Sequence, residues 1–391
     1  MSAQQFDFDS LVDRRGSGSY KWDDYSSDPD DTIEMWVADM DFRTAPAVLD
    51  ALRRRVEHGI FGYTYVGDDY YDALTSWFER RHAYRIDRKR VIYTSGVVPA
   101  ISAIIKALAR PGEGVIVNTP AYNCFFSSIR NNSCRIVASP LRRVDISDTE
   151  FTYEFDFENL EQLAAEPSNT LMLLCNPHNP SGRIWSEEEL HRVADICRRH
   201  GVRVVSDEIH CELAMPGRRY VPYGNIDSSA IICNSPSKAF NTAGLQIANI
   251  ICPDGETRAA IDRAININEV CDVNPFGVEG LKAAYCHGEE WLDALRAYLE
   301  GNYLFTKEFF ANELPGYPIT RLEATYLLWV DIRRSGLDGD AVERELVQRQ
   351  HVRVNSGSIY GGDGYIRLNL AMPRIVLAEG LKRIAAGLKS I

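Results

Sequence analysis

The sequence predicts an α/β fold in which a mainly parallel central sheet is sandwiched by helices and accompanied by a smaller α+β domain. From about residue 45 to 285, helical patterns alternate with short apolar runs that are rich in β-branched residues and lack polar alternation. Such runs are typical of parallel strands buried on both faces. After residue 285 the pattern changes to long helices followed by further strands. We therefore predict a large domain at 46–285 and a small domain formed by 1–45 and 286–391.

Six apolar runs are predicted strands of the central sheet. They are VIYT (91–94), GVIVNT (114–119), TLMLLCN (170–176), VRVVSDE (202–208), AIICN (230–234) and ANIIC (248–252). Between the third and the fourth run, Ser186 and Glu189 form a capping box that starts a helix, and Gly201 ends it. This strand, helix and strand have the spacing of a right-handed crossover. In the small domain we predict strands at TYLLWVDI and YIRLNL, a helix near 339–349 and a closing helix.

Composition and charge exclude several classes of protein. The formal net charge is -12, whereas nucleic-acid-binding proteins present a basic surface to the phosphate backbone. No apolar run approaches the roughly 20 residues that a membrane span needs, and the N-terminus has no signal-peptide pattern. The nine cysteines contain no CxxC pair, which predicts reduced thiols instead of a disulfide framework or a metal site. We therefore expect a cytoplasmic protein that binds neither nucleic acid nor membrane.

Four of the predicted strands end in polar residues. These endings are TSGVVPA (94–100), CNPHNPSG (175–182), SDEIH (206–210) and NSPSK (234–238). Because open α/β sheets bind their ligands at the carboxyl ends of the strands, we expect the four endings to meet at one site. One such ending would carry little information, but four in chain order indicate a ligand site.

The residue types at these endings suit a particular ligand. A helix that begins after Gly96 offers free backbone N–H groups to a phosphate. Asp207, at the end of a buried strand, needs a cationic partner to stay ionised. Burial lowers the pKa of a lysine placed like Lys238 and frees its amine as a nucleophile. Neutral donors to the same phosphate would come from Ser95, Ser235 and Ser237. A phosphate, a cationic ring nitrogen and a carbonyl describe pyridoxal 5′-phosphate (PLP).

The motif set resembles that of the fold-type I PLP enzymes, the aspartate aminotransferase superfamily. The shared motifs are SxxK ending at Lys238, NPxNPSG around Asn179, SDE around Asp207 and the late YIRLNL. Within the superfamily, MWVADMDF (35–42), FGYTY (61–65), SDEIH and SPSKAFN are most similar to the MalY/PatB-type cystathionine β-lyases, which cleave carbon–sulfur bonds. The resemblance implies the aspartate aminotransferase-like fold and PLP as cofactor.

The resemblance also implies a role for each matching residue at the cofactor. Lys238 would hold PLP covalently and later remove the Cα proton of the substrate. Asp207 would pair with the pyridine nitrogen and maintain the ring as an electron sink. Asn179 would donate to the ring hydroxyl oxygen, and Tyr122 would stack on the ring face. The implied phosphate ligands are the backbone amides of Val97 and Val98 together with Ser235 and Ser237.

Two further residues would act on the substrate. Arg367 would clamp the α-carboxylate through a bidentate pair, a geometry that lysine does not reproduce, with Asn179 beside it. Tyr63 would reach the phosphate or the substrate of a neighbouring subunit, and Tyr65 is a near-equal candidate. The resemblance therefore implies a homodimer with active sites at the subunit interface.

The sequence departs from the usual aminotransferase pattern at two positions. Many members carry an arginine eight residues after the lysine, where this chain has Gln246. Many also carry a tyrosine three residues after the aspartate, where this chain has His210. The ring oxygen would then have either His210 as a different second partner or Asn179 alone. Both departures are compatible with the carbon–sulfur lyase branch, which Gln246 favours, and neither excludes transamination.

Each residue taken alone has a simpler interpretation. A lysine after a strand is usually solvated, Asp207 alone could be a turn residue, and Glu208 beside it a surface charge. NPHNPSG contains ordinary turn dipeptides, and Tyr122 could belong to the core. The functional interpretation rests on the combination of the four motifs.

The resemblance implies a PLP-dependent β-lyase of sulfur amino-acid metabolism and methionine biosynthesis. It would cleave L-cystathionine or related S-substituted L-cysteines by α,β-elimination to homocysteine or another thiol, pyruvate and ammonia. The first alternative is an aminotransferase of an aromatic or aliphatic L-amino acid. The second is a regulatory protein built on the same fold, which the presence of Lys238, Asp207 and Arg367 disfavours.

Overall fold

A computed structural model describes residues 6–24, 28–269 and 272–391 of the chain. Its strands are β1 (Ile33–Glu34), β2 (Val91–Thr94), β3 (Gly114–Thr119), β4 (Arg135–Pro140), β5 (Arg142–Asp145), β6 (Glu150–Glu154), β7 (Asn169–Cys175), β8 (Arg203–Asp207), β9 (Ile231–Asn234), β10 (Ala248–Ile251), β11 (Ile319–Thr320), β12 (Leu327–Asp331), β13 (Val352–Arg353), β14 (Asn355–Ser356) and β15 (Tyr365–Asn369). Its α-helices are α1 (Tyr20–Asp23), α2 (Pro46–His58), α3 (Asp68–His82), α4 (Val97–Leu108), α5 (Asn123–Asn131), α6 (Phe157–Ala164), α7 (Glu187–His200), α8 (Gly255–Asn266), α9 (Pro275–His287), α10 (Glu289–Glu313), α11 (Gly339–Gln350) and α12 (Arg374–Ser390). None of the described helices is both long enough and apolar enough to cross a bilayer.

The central sheet has seven strands in the order β2-β10-β9-β8-β7-β3-β4. The five strands from β9 to β4 pair in parallel, whereas β10 runs antiparallel to both of its neighbours. The prediction of a mainly parallel sheet is therefore confirmed, and all six predicted strands belong to it. Edge strand β4 was not predicted, because its residues alternate between exposed and buried and lack a continuous apolar run.

Successive side chains of the central strands pack into two different cores, since neighbouring residues of a strand point to opposite faces. On one face, Val115 and Val117 of β3 pack with α4, α5 and α8. On the other face, Ile116 of the same strand packs with helices that include α3 and α7. Burial on both faces explains why these strands lack polar alternation.

Helix α7 begins and ends as its sequence predicts. The backbone N–H of Glu189 donates to Ser186 Oγ over 3.2 Å, and the Ser186 N–H donates to Glu189 Oε2 over 2.7 Å, which completes the capping box. Gly201 ends the helix with a φ of 71°, a left-handed conformation that glycine adopts without a Cβ penalty. The helix connects β7 to β8, two parallel neighbours that carry the candidate site residues.

A second sheet of six strands has the order β14-β15-β12-β11-β6-β5. Helices α10, α11 and α12 contribute to the apolar core on this sheet, and the predicted helix near 339–349 corresponds to α11. The β5–β6 hairpin lies within 46–285 in sequence but pairs with β11 of this second sheet. The division of the chain into two domains at these boundaries stays a prediction.

Residues 35–42, which we call the N-terminal strap, connect the two sheets. Three asparagine side chains, one from the large-sheet region and two from the second sheet, donate to strap carbonyls. The bonds are Asn241 Nδ2 to Met40 O (2.8 Å) and Phe42 O (2.9 Å), Asn355 Nδ2 to Trp36 O (2.7 Å), and Asn369 Nδ2 to Val37 O (2.6 Å) and Asp39 O (2.6 Å). The strap is therefore fixed through its main chain.

Candidate active site

The four polar strand endings lie at one edge of the central sheet. Strands β7, β8 and β9 are parallel neighbours, so their carboxyl ends point the same way. Strand β2 reaches the same edge because antiparallel β10 pairs Thr94 with Ala248 and Asn234 with Asn249. The strap and Arg367 of β15 complete this edge from the second sheet. The predicted meeting of the four endings is thus found in the structure.

Lys238 contacts the strap through its amine. Its Nζ donates to the carbonyl oxygen of Ala38 over 2.6 Å, and the hydroxyl of Tyr326 donates to the same oxygen over 2.8 Å. Burial and the nearby Arg367 guanidinium lower the pKa of Lys238 from 10.5 to about 8, against the opposing influence of nearby acidic groups. A substantial fraction of this lysine is therefore neutral, and nucleophilic, only slightly above neutral pH.

Asp207 is buried at the end of β8 with one hydrogen-bond donor. The backbone N–H of Ile209 donates to its Oδ1 over 3.1 Å, and no cationic side chain of the described residues lies within ion-pair distance. Burial raises the pKa of Asp207 to about 7, although the Ile209 N–H and the more distant Lys238 lower it in part. A cation bound beside this carboxylate would stabilise its ionised form and offset the desolvation penalty of burial.

Glu208, directly after Asp207, points elsewhere and is fully satisfied by the protein. It accepts hydrogen bonds from Ser206 Oγ (3.0 Å), from the Tyr223 N–H (2.8 Å) and from the Tyr220 hydroxyl. The interpretation of Glu208 as a surface charge is wrong, since the side chain is completely buried. Its partners stabilise the strand ending, and they leave Asp207 as the carboxylate that faces the site.

Arg367 is buried without a carboxylate partner. Its Nη1 donates to Asn179 Oδ1 over 3.1 Å and its Nη2 to Trp36 O over 3.0 Å, while the guanidinium carbon lies 4.6 Å from the centre of the Tyr360 ring. In the described part of the chain its Nε has no hydrogen-bond partner, and no carboxylate pairs with it. Because an unpaired buried charge is costly, this arrangement suits an anionic ligand group.

His210 and Tyr122 line the same region. His210 is buried, its Nδ1 has no partner among the described residues, and burial followed by Lys238 and Arg367 holds its pKa well below 6.5. It is therefore neutral at physiological pH. Tyr122 precedes α5 and packs edge-on against Phe125, with ring centres 5.9 Å apart. Its predicted stacking on a ligand and the alternative core role are compatible with this position, and the stacking stays a prediction.

The predicted phosphate cradle is present as a helix N-terminus. Helix α4 begins at Val97, so the N–H groups of Val97 and Val98 have no intrahelical acceptor. The Ser235 hydroxyl, in contrast, donates to Ile247 O over 2.6 Å and accepts from the Ser237 N–H over 3.1 Å. In this structure the Ser235 hydroxyl is therefore engaged within its own loop. The assignments of all four residues to a phosphate stay predictions.

Gln246, where the resemblance leads us to expect an arginine, lies near the end of the loop that connects β9 to β10. It adopts a left-handed conformation with a φ of 53° and lines a cavity of about 320 Å³ together with Ser95. Arg258 of α8 also lines this cavity and has no carboxylate partner among the described residues. A positive charge is therefore close to this end of the site, although it comes from another part of the sequence.

Tyr63 and Tyr65 are far more exposed than the other candidates. Their side chains are 98% and 83% exposed in the connection between α2 and α3. Tyr63 does not contact the other described site residues of its own chain. Its side chain is free to contact a neighbouring subunit, as the predicted role requires. That role stays a prediction.

Sequence reasoning singled out the segment that forms the strap but assigned no role to its main-chain carbonyls or to Tyr326, which directly precedes β12. The carbonyl oxygens of Trp36 and Ala38 hold Arg367 and Lys238, and Tyr326 holds Ala38. Main-chain carbonyls carry no residue-specific signal, so no motif could have assigned them. The site as a whole combines a lysine amine of lowered pKa, a carboxylate for a cation, a guanidinium for a carboxylate and free amides for a phosphate.

A solved structure has the same fold over nearly its full length. Cystalysin from Treponema denticola, whose crystal structure contains a pyridoxal 5′-phosphate cofactor, is 32% identical in sequence. The superposition covers 99% of this chain and 99% of that chain with a TM-score of 0.94. The predicted aspartate aminotransferase-like fold is therefore confirmed.

Two relatives are similar to this chain throughout. Cystathionine β-lyase PatB of Bacillus subtilis strain 168 is 38% identical over 389 residues, which span 97% of this chain and 99% of that protein. Protein MalY of Escherichia coli strain K12 is 34% identical over 394 residues, which span 99% of this chain and 100% of that protein. The family model for aminotransferase class I and II matches residues 30–384. The predicted resemblance is thus confirmed, and the chain belongs to the aminotransferase class I and II family.

Proposed function

We propose that the protein is a PLP-dependent carbon–sulfur β-lyase. It would cleave L-cystathionine or related S-substituted L-cysteines to a thiol, such as homocysteine, together with pyruvate and ammonia. The observation that carries this proposal is that Lys238, Asp207 and Arg367 lie at one sheet edge and that none of them forms an ion pair with another described residue. The name of PatB as a cystathionine β-lyase supports the choice of reaction.

The residues present fit PLP on structural grounds. Asp207 is buried without a cationic partner and suits a protonated ring nitrogen, and His210 Nδ1 is an unpartnered buried atom in the same region. The first turn of α4 suits the phosphate. When bound, PLP supplies an electron sink that acidifies the Cα proton of an amino acid. The PLP content of cystalysin supports this assignment.

Lys238 would perform both the covalent and the proton-transfer tasks. Its pKa of about 8 keeps part of the amine neutral, which is the form that forms a bond to a carbonyl and that accepts a proton. As a free amine, Lys238 Nζ would accept the Cα proton of the substrate. The Ala38 carbonyl, 2.6 Å from Nζ, holds the released amine near the site.

Arg367 would bind the substrate carboxylate, with Asn179 as its orienting neighbour. Two contacts fix the guanidinium plane, one from Nη1 to Asn179 Oδ1 and one from Nη2 to the Trp36 carbonyl. The face of Tyr360 packs against it and excludes water on one side. A carboxylate held there restrains the Cα of the substrate, which lets the proton point at Lys238.

A product assay separates the lyase from the aminotransferase alternative. Purified protein supplied with PLP and L-cystathionine, without any keto acid, is expected to release pyruvate and free thiol in equal amounts over many turnovers. L-2-Aminobutyrate, which has no leaving group at Cβ, serves as the matched control and should give neither product. A single half-turnover that continues only after a keto acid is added would instead establish transamination.

We further propose a homodimer in which the α2–α3 connection reaches the partner subunit. Ile60, Phe61, Tyr63 and Tyr65 are all more than half exposed, an unusual concentration of apolar side chains on a surface. Burying them against a second copy would place Tyr63 at the site of that copy. As part of the same proposal, the enzyme acts in the cytoplasm, where the free cysteine thiols of the described residues would remain reduced.

Subunit mixing tests whether Tyr63 acts in the neighbouring site. Lys238→Ala and Tyr63→Ala proteins are each expected to be weakly active, whereas co-refolded mixtures should recover about one quarter of wild-type activity, because half of random dimers contain one intact site. A second mixture, of Lys238→Ala with Tyr65→Ala protein, is measured in the same way. It shows whether Tyr65 acts in the neighbouring site instead of Tyr63. No recovery in the Tyr63 mixture, despite heterodimers detected by native mass spectrometry, would place Tyr63 in its own subunit's site or outside it.

A further inference from the structure

The Ala38 carbonyl accepts two hydrogen bonds at once. One comes from Lys238 Nζ at 2.6 Å and the other from the Tyr326 hydroxyl at 2.8 Å. A carbonyl oxygen has two lone pairs, so these donors occupy its full capacity. Tyr326 is buried, and burial raises its pKa far above the ordinary value, so its hydroxyl stays protonated and remains a donor.

The direction of this carbonyl is fixed independently of either donor. The carbonyls on both sides of it, those of Val37 and Asp39, each accept from Asn369 Nδ2 over 2.6 Å. The Asp39 side chain also pairs with Arg14 over 2.6 Å. Because the flanking peptides are anchored, the orientation of the Ala38 carbonyl is fixed. The Lys238 side chain must therefore adopt the conformation that brings its amine to this oxygen.

We propose that Tyr326 is a positioning residue for Lys238: its hydroxyl occupies one lone pair of the Ala38 carbonyl and so sets the direction and the strength of the hydrogen bond that the lysine amine makes. The inference rests on the proposed function only in assigning Lys238 as the reactive amine. Two donors on one acceptor leave each bond weaker than it would be alone, since the first donor withdraws electron density from the oxygen.

The shared carbonyl matters because it favours the charged form of Lys238. A hydrogen bond from an ammonium group to a carbonyl stabilises the ammonium relative to the neutral amine. By weakening that bond, the Tyr326 hydroxyl keeps more of the amine in the neutral form that attacks a carbonyl and removes a proton. The other charged and titratable groups that influence Lys238 are Arg367, Asp39, Asp207 and Cys124. None of them contacts the Ala38 oxygen, so Tyr326 acts by a separate route.

Tyr326→Phe tests the proposal because it removes the hydroxyl and leaves the ring that packs near His210. In the cofactor-free full-length protein, the rate of acylation of Lys238 can be followed against pH by peptide mass spectrometry. We expect the midpoint of this profile to move to higher pH by about half a unit, which makes the lysine about threefold less reactive at pH 7. Covalent attachment of added PLP, followed by absorbance, should slow by a similar factor.

Tyr317→Phe is the matched control, since the Tyr317 hydroxyl also donates from a buried position to a main-chain carbonyl, that of Leu388, over 3.0 Å. It should cost a similar amount of stability and leave the Lys238 profile unchanged. If Tyr326→Phe destabilises the protein but its Lys238 midpoint stays in place or falls, the hydroxyl has only a structural role and the proposal is overturned. The acylation readout requires neither PLP nor lyase activity, so a failure of the proposed function would show separately in the product assay.

Discussion

Replacing Lys238 by alanine is expected to lower pyruvate release from L-cystathionine by at least about 10³-fold, because one side chain would carry both covalent attachment and proton transfer. The position allows no substitute: in the described residues no other lysine amine contacts the Ala38 carbonyl at this sheet edge. Steady-state release of pyruvate and thiol measures the loss. Absorbance of the protein with added PLP should at the same time lose the band that covalent attachment produces.

Two additions make the Lys238→Ala experiment decisive. Added small primary amines should restore part of the rate, since a free amine can enter the vacated space and accept the proton. Lys89→Ala removes an exposed lysine from a short helix before β2 and is expected to behave like wild type. A Lys238→Ala protein that keeps both covalent PLP and turnover would assign the reactive amine to another lysine.

Asp207→Asn is expected to have opposite effects on stability and on function. In the cofactor-free protein it should raise the free energy of unfolding at pH 8 by up to about 4 kcal/mol, since each pKa unit corresponds to about 1.4 kcal/mol and the carboxyl shifts from 3.8 to about 7. The neutral amide would also lose the ability to pair with a cationic ring nitrogen. We expect PLP affinity and turnover to fall by about 10²-fold or more.

The sign of the pH dependence follows from the direction of the shift. The pKa of Asp207 is raised in the folded protein, so the folded state binds more protons than the unfolded state between pH 3.8 and about 7. Ionisation of Asp207 therefore opposes folding as pH rises through this window, and Asp207→Asn should remove that part of the pH dependence. Urea unfolding of both proteins at pH 5 and pH 8 measures the difference, which should be larger at pH 8.

Asp41→Asn is the matched control for Asp207→Asn. Asp41 is also buried, but it accepts from Arg14 (2.8 Å), Lys21 (2.8 Å) and the Trp22 ring N–H (3.0 Å). Removing its charge leaves the buried Lys21 without its closest anion, so this variant should be destabilised. If both variants were destabilised equally at pH 8, Asp207 would already have a cationic partner in the cofactor-free protein.

The parts of this molecule that the sequence could predict are those encoded by residue type and spacing. Unbroken apolar runs predict the buried parallel strands. Because parallel strands point the same way, their carboxyl ends bring Lys238, Asp207 and Asn179 together at one edge of the sheet.

Strand β4 escaped prediction because its residues alternate between exposed and buried, and β5 because none of its residues is fully buried. Strand β6 is buried, but Glu150 and Thr152 interrupt its apolar residues, so it lacks a continuous apolar run. Tyr326 escaped because its role depends on a main-chain carbonyl 288 positions earlier in the chain, which no local pattern records.

The way in which the strap is anchored bears on how the substrate range of such an enzyme can change. Its attachment uses carbonyl oxygens that every amino acid possesses, and the partly buried side chains of Val37 and Ala38 take no part in it. The side chains at 37 and 38 and the attachment of the strap are therefore encoded at different positions. We expect substitutions at 37 and 38 to change the side chains next to the carbonyls that hold Arg367 and Lys238, while the three asparagines keep the main chain in place, so a new thioether could be selected without loss of the catalytic geometry.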